Sequence, residues 1–124
     1  MTPDGFQVVT IDSDGTTVSA EWDTTGGTLA LLQDAVGGFV DVVPLHPTIA
    51  MWVNDTGLVD ALPINWVATT IARAFGVTHQ PYAGPVVFTG GTGDDGTTLP
   101  LGDHQTDVLL RAGRLITNHY STHH

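Results

Sequence analysis

The chain has 124 residues, of which 41% are hydrophobic, and its mean hydropathy is +0.12. This apolar content is enough for one compact core, so we expect a single domain over residues 1–124. Three Arg and no Lys oppose thirteen acidic residues, and the formal net charge is −10. Such a chain lacks the basic surface that neutralises phosphates, which excludes direct nucleic-acid binding as an expected function.

Two further absences narrow the class of protein. The chain contains no Cys, which removes disulfides, thiolate nucleophiles and iron–sulfur clusters. No apolar run approaches the roughly 18 residues that a membrane helix needs, and the N-terminus shows no secretory signal. We therefore expect a cytoplasmic protein with no membrane partner.

The first part of the chain predicts a β-hairpin followed by a helix. Apolar and β-branched residues fill Phe6–Ile11, Asp12–Gly15 supplies turn residues, and Thr16–Trp22 alternates polar with apolar side chains. Thr28 is in position to cap a short amphipathic helix, which Gly37 ends.

The middle of the chain predicts three more strands and a second helix. Phe39–Pro44 and Ile49–Asn54 have strand character, and Pro63 precedes a helix over Asn65–Phe75. Pro85–Thr89 is a short strand that is apolar at nearly every position.

The last part predicts a connector over Gly90–Pro100, a helix from Asp103 to about Ala112, and a disordered tail over residues 117–124 that carries three of the six His. The order β-β-α-β-β-α-β-α predicts an α+β fold, with a small antiparallel or mixed sheet and helices packed on one face. The residues expected to be buried are Val8, Val18, Leu32, Val36, Val42, Met51, Val53, Val67, Ile71, Val87 and Leu109.

No recognisable catalytic motif is present. The glycine-rich run Gly90–Gly96 lacks the Gly-Lys-Ser/Thr of a phosphate-binding loop and does not lead into a helix. The His residues show no metal-ligand spacing, and the Asp55 and Asp60 pair is typical of a solvated turn. We expect no metal, no cofactor and no local active site.

Aromatic residues beside amides and hydroxyls are the better candidates for a binding site. Alternation places Trp52 and Asn54 on one side of their strand, and Pro63 lets the next helix begin close to the turn that follows it. We expect a cleft between that strand and the helix, bordered by Trp52, Asn54, Asn65, Trp66 and Thr69. The alternative is that both Trp cover the core and the Asn side chains cap turns.

Several stretches between residues 29 and 90 resemble one family in order and spacing. They are Leu32–Leu45, Met51–Gly57, Leu62–Asn65, Ala68–Thr69 and Gly84–Gly90. They resemble the DUF3846 family of small uncharacterised proteins, which is associated with actinobacteria, their phages and plasmids. The resemblance implies a shared core of sheet and first two helices, and it implies no activity. It draws attention to Asp55 beside four of the binding candidates already named.

These observations favour a non-catalytic binding protein of a phage or other mobile element. It would act on a host protein or sequester a small molecule, and self-association belongs to the same class of function. The resemblance, the absence of a catalytic constellation and the acidic charge motivate this hypothesis. The alternative is a small enzyme whose active site forms only in the fold, for example where His46, Asp55 and His79 converge.

Overall fold

The computed structural model describes the backbone of residues 5–122 and the side chains of residues 5–119. The strands and helices follow each other in the predicted order: β1 (Phe6–Ile11), β2 (Thr17–Trp22), α1 (Leu29–Val36), β3 (Val40–His46), β4 (Ile49–Asn54), α2 (Trp66–Ala74), β5 (Val86–Thr89) and α3 (Asp103–Thr122). Among the helices of residues 5–122, none combines the length and the apolar character that spanning a bilayer requires.

The strands form one sheet in the order β2-β1-β5-β4-β3, and every neighbouring pair is antiparallel. Two hairpins, β1–β2 and β3–β4, are joined by β5, which lies between β1 and β4. The predicted α+β fold is confirmed, and the sheet is antiparallel rather than mixed.

The helices cover both faces of the sheet, which differs from the expected packing on one face. Successive residues of β1 enter different cores: Val8 packs with α1, whereas Val9 packs with α2 and α3. The reason lies in two of the three inner strands, β4 and β5. All four residues of β5 are buried, and β4 has apolar side chains on both sides, so each face needs a cover.

Most of the expected core residues are buried. The exceptions are Val18 and Val42, which are 49% and 42% exposed. They lie on β2 and β3, the two edge strands of the sheet. Trp22, near the end of β2, is half-buried against the core that contains α1.

The C-terminal helix is longer than predicted. α3 continues through residues 117–122, which were expected to be disordered, while residues 123–124 lie outside the described residues. Gly113 is buried and packs against Thr17 rather than ending the helix. Thr117 donates a hydrogen bond to the Gly15 carbonyl at 3.1 Å, so the helix is held against the β1–β2 turn.

Candidate functional site

The structure does not bring the five predicted binding residues into one cleft. Trp52 and Asn54 lie on the α1 side of β4, whereas Asn65, Trp66 and Thr69 belong to α2 and its N-cap on the opposite face of the sheet. The sheet separates the two groups. Each residue therefore has to be placed by its own contacts.

Trp52 is a structural residue of the α1 core. Its indole Nε1 donates to the Thr89 Oγ1 at 2.9 Å, and that hydroxyl donates to the Gly90 carbonyl at 2.9 Å. The ring packs with the core that includes Leu32 and Val36. The polar atom of this Trp is thus satisfied inside the fold.

Asn54 joins the end of α1 to the turn that follows β4. Its Nδ2 donates to the Val36 carbonyl at 3.2 Å, and its Oδ1 accepts from the Thr56 backbone N–H at 2.9 Å.

Trp66, at the first position of α2, has a side chain that is 51% exposed.

Asn65 and Thr69 are buried and hold the segment before β5. The Asn65 Oδ1 accepts from the Ala68 N–H, and its Nδ2 donates to the carbonyls of Ile11 and Gly84 at 2.9 and 3.0 Å. The Thr69 Oγ1 accepts from the Tyr82 N–H at 3.0 Å, and the Asn65 N–H donates to the Tyr82 carbonyl at 2.8 Å. Both residues therefore fix the backbone of Tyr82.

Tyr82 lines a cleft of about 210 Å³ at the β3 and β4 end of the sheet. We call it the Tyr82 cleft, and its walls come from β3, from the end of β4 with the following turn, and from the segment before β5. The lining residues are Asp41, Val53, Asn54, Asp55, Leu58, Val59, Gln80, Pro81, Tyr82 and Ala83. Of the five predicted binding residues, Asn54 alone is among them.

The turn after β4 forms one wall because it packs closely on the segment before β5. A Cβ at Gly57 would lie 2.7 Å from the Ala83 carbonyl oxygen, so this approach requires glycine. The Leu62 N–H closes the turn on the Gly57 carbonyl at 2.9 Å, and Ala61 adopts a φ of 57°. In this conformation of the turn, Leu58 and Val59 line the cleft.

The polar groups of the cleft are acidic or neutral. Asp41 and Asp55 are exposed carboxylates, and the lining residues include no Arg, Lys or His. Tyr82 is 3% exposed, and its buried hydroxyl has no hydrogen-bond partner. Burial, and then the negative charge of Asp41, raise the pKa of Tyr82 above its usual value, so the phenol is neutral at pH 7.

Sequence reasoning missed Tyr82 and Asp41. The stretch Val77–Gly84 reads as a loop, and nothing in its spacing connects it to β3. One signal was present: Pro81 restricts the backbone φ just before the aromatic residue, and Gly84 permits a positive φ of 85° two residues after it.

A second cavity of about 210 Å³ is lined by His46, Thr48, Ile49, Phe75, His104, Gln105 and Val108. The His46 Nδ1 accepts from the Thr48 backbone N–H at 3.1 Å, and the Gln105 Nε2 donates to the Thr48 Oγ1 at 3.2 Å. His46 thus lies in a different cavity from Asp55, and neither cavity holds two of the residues that the enzyme hypothesis would bring together. Within the described part of the chain, no group of three or more His, Asp or Glu is arranged to hold a metal ion.

Comparison with known proteins shows which family the chain matches. No curated protein and no solved structure matches the chain. The family described as a domain of unknown function, DUF3846, matches residues 6–114. This range contains all five strands, α1, α2 and much of α3, and it includes every residue of the Tyr82 cleft. The chain therefore belongs to the DUF3846 family.

Proposed function

We propose that this protein is a non-catalytic binding protein and that the Tyr82 cleft is its binding site. The unpartnered hydroxyl of Tyr82 is the observation that carries the proposal. A buried polar group without a partner costs about 1–3 kcal/mol, and native structures pair the large majority of such groups. A ligand that enters the cleft would supply the missing partner.

The composition of the cleft supports recognition rather than chemistry. Carboxylates, a neutral phenol and the amide of Gln80 lie beside the apolar side chains of Leu58 and Val59. Apolar surface supplies binding energy, and a few polar groups impose orientation. The lining contains no His, Cys, Ser or Lys that would act as a nucleophile or as a general base of neutral pKa.

The biological setting is part of the proposal. The resemblance to proteins of actinobacteria, their phages and plasmids suggests a protein of a mobile element that works in the cytoplasm of a host cell. Its ligand is then a host protein or a small molecule of the host. The net charge of −10 favours partners with basic surfaces, because complementary charge raises the rate of encounter.

The test is capture of a ligand by the purified protein. Native mass spectrometry and pull-down from host lysate are carried out with the wild type, with Val59→Arg and with Leu115→Arg. Val59 lines the cleft and is 86% exposed, while Leu115 lies on α3 outside it and is 70% exposed. Both variants add the same charge at an exposed apolar position.

We expect the wild type and Leu115→Arg to retain the same small molecule or host protein, and Val59→Arg to lose it. Retention by all three proteins would place the binding site elsewhere. The absence of any retained molecule or partner in the wild type would contradict the proposed function.

A further inference from the structure

The charges that face the Tyr82 cleft have one sign. Asp41 and Asp55 both line it, and no positive side chain accompanies them among the lining residues. An anionic ligand would be repelled, whereas a neutral ligand would leave two carboxylates uncompensated. The cleft is therefore suited to a group that carries positive charge.

The hydroxyl of Tyr82 adds an independent requirement. This side chain is 3% exposed, and its oxygen has no hydrogen-bond partner, although Asp41 is near enough for its charge to act on it. No hydrogen bond therefore joins the phenol oxygen to the Asp41 carboxylate. N–H groups of a ligand would pair with both, because the phenol oxygen and the carboxylate each accept hydrogen bonds.

A guanidinium group fits these acceptors better than a single ammonium. It presents five N–H donors in a rigid plane and remains charged at every physiological pH. One edge of that plane can donate to a carboxylate while an N–H on another edge reaches the phenol oxygen. An ammonium has three donors on one atom and would meet fewer of these acceptors at once.

Exposed apolar side chains lie in the cleft and beside it. Val59 and Leu58, on the turn after β4, are 86% and 44% exposed. Phe39 is 76% exposed, and its carbonyl accepts from the Asp55 N–H at 2.8 Å, so it adjoins the acidic side of the cleft. A small free amine would leave this apolar surface exposed to water. A basic residue within a protein segment would cover it, because the methylene groups of its side chain and the residues beside it in the segment would contact the apolar side chains.

We infer that the Tyr82 cleft binds an arginine side chain from a basic, partly apolar segment of a partner protein. The guanidinium lies between Asp41, Asp55 and the hydroxyl of Tyr82, and the flanking residues of the segment rest on Phe39 and Val59. This inference rests on the proposed function and specifies its ligand.

The test uses three probes: the blocked peptide acetyl-Leu-Arg-Leu-amide, the same peptide with citrulline in place of arginine, and acetyl-arginine N-methylamide. Citrulline has nearly the shape of arginine but no charge. Each probe is titrated into the ¹⁵N-labelled full chain at low salt. We expect the arginine peptide to shift the backbone amide signals of Asp41, Asp55, Gln80 and Tyr82, and both other probes to bind at least about tenfold more weakly.

Matched variants identify the charges that matter. The double variant Asp41→Asn with Asp55→Asn is expected to weaken the arginine peptide at least about tenfold. The control, Asp34→Asn with Asp94→Asn, removes two exposed carboxylates outside the cleft and is expected to change the affinity less than about threefold. The dispersion of the amide spectrum shows directly whether each variant is folded.

The outcomes separate this inference from the proposed function. Equal binding of the citrulline peptide would overturn the requirement for a cation, and equal binding of acetyl-arginine N-methylamide would overturn the protein segment as its source. In both cases the cleft would still be a binding site. If no probe shifts the cleft signals while Val59→Arg still abolishes capture of a cellular ligand, the arginine inference alone is overturned. If no probe binds and the wild type captures nothing, both fail.

Discussion

At the scale of single residues, the buried hydroxyl of Tyr82 has no hydrogen-bond partner among the protein's own described atoms. We predict that Tyr82→Phe is as stable as the wild type at pH 7, or more stable, because the substitution removes an unpaired polar atom and keeps the ring. Urea unfolding of both proteins measures this difference. A loss of more than about 1 kcal/mol would show that the hydroxyl has a partner within the fold.

The same hydroxyl predicts a dependence on alkaline pH. Burial, and then the negative charge of Asp41, raise the pKa of Tyr82 above its usual value in the folded state. The stability that belongs to the neutral phenol is fully present below about pH 10 and is lost as the pH rises through the folded pKa. Urea unfolding between about pH 8 and about pH 11 should show a steeper loss of stability for the wild type than for Tyr82→Phe. Equal slopes would contradict the prediction.

Asn65 combines two structural tasks that substitutions can separate. It caps α2 through Oδ1 and ties Ile11 to Gly84 through Nδ2. We predict that Asn65→Ala costs more than about 2 kcal/mol, because it removes the cap and leaves buried backbone groups unpaired. Asn65→Ser keeps an acceptor for the cap, so the difference between Ser and Ala measures the cap, and the rest measures the tether. An Asn65→Ser variant as stable as the wild type would exclude an energetic role for the tether.

The predicted site shows why local spacing was insufficient at this scale. An Asn at the start of a helix looks the same whether its amide binds a ligand or a distant carbonyl. Its partner Ile11 lies 54 positions away in the chain, and only the fold brings the two together. The same is true of the Tyr82 cleft, whose acidic residue Asp41 and phenol come from segments that share no sequence pattern.

At the scale of elements, α1 and α2 pack on opposite faces of one sheet. Leu32 of α1 and Ile71 of α2 are 1% and 3% exposed. We predict that Leu32→Ala and Ile71→Ala each cost about 2–5 kcal/mol, through lost apolar burial and the cavities that remain. Leu115→Ala, on the exposed side of α3, is the control and should cost less than about 0.5 kcal/mol.

The double variant Leu32→Ala with Ile71→Ala tests the separation of the faces. Because the sheet lies between the two side chains, their losses should add to within about 0.5 kcal/mol. A coupling well above that value would mean that α1 and α2 share one core.

Sequence patterns predicted the elements but not their distribution over the two faces. Alternation and glycine stops were sufficient for β1 to β5 and for α1 and α2. The side that α1 covers depends on β4 and β5, which are apolar on both faces and therefore do not indicate where a helix packs. Glycine commonly ends a helix, and Gly113 was therefore expected to end α3. Instead, Gly113 permits close contact with Thr17, and α3 continues past it.

At the scale of the whole molecule, negative charge is poorly compensated. The chain carries a net charge of −10, and Arg111 and Asp107 form an ion pair at 3.3 Å between exposed side chains. Such a pair contributes little, and like charges raise the free energy of the compact state. Stability should therefore depend on ionic strength, because salt screens this repulsion.

We predict that the melting temperature rises steadily as NaCl increases from about 0.01 M to about 1 M, over which the screening length falls from about 30 Å to about 3 Å. At low salt, Asp41→Asn with Asp55→Asn should melt above the wild type, because it removes two like charges that face one cleft. That gain should shrink at high salt. The control Asp34→Asn with Asp94→Asn loses the same net charge, so a larger gain in the cleft variant measures repulsion within the cleft itself. Equal gains in melting temperature for the two double variants would show that the cleft carboxylates respond only to the overall charge. A larger gain for the cleft variant, together with its weaker binding of the arginine peptide, would mean that the free protein keeps unfavourable negative charge at the place where a cationic ligand compensates it.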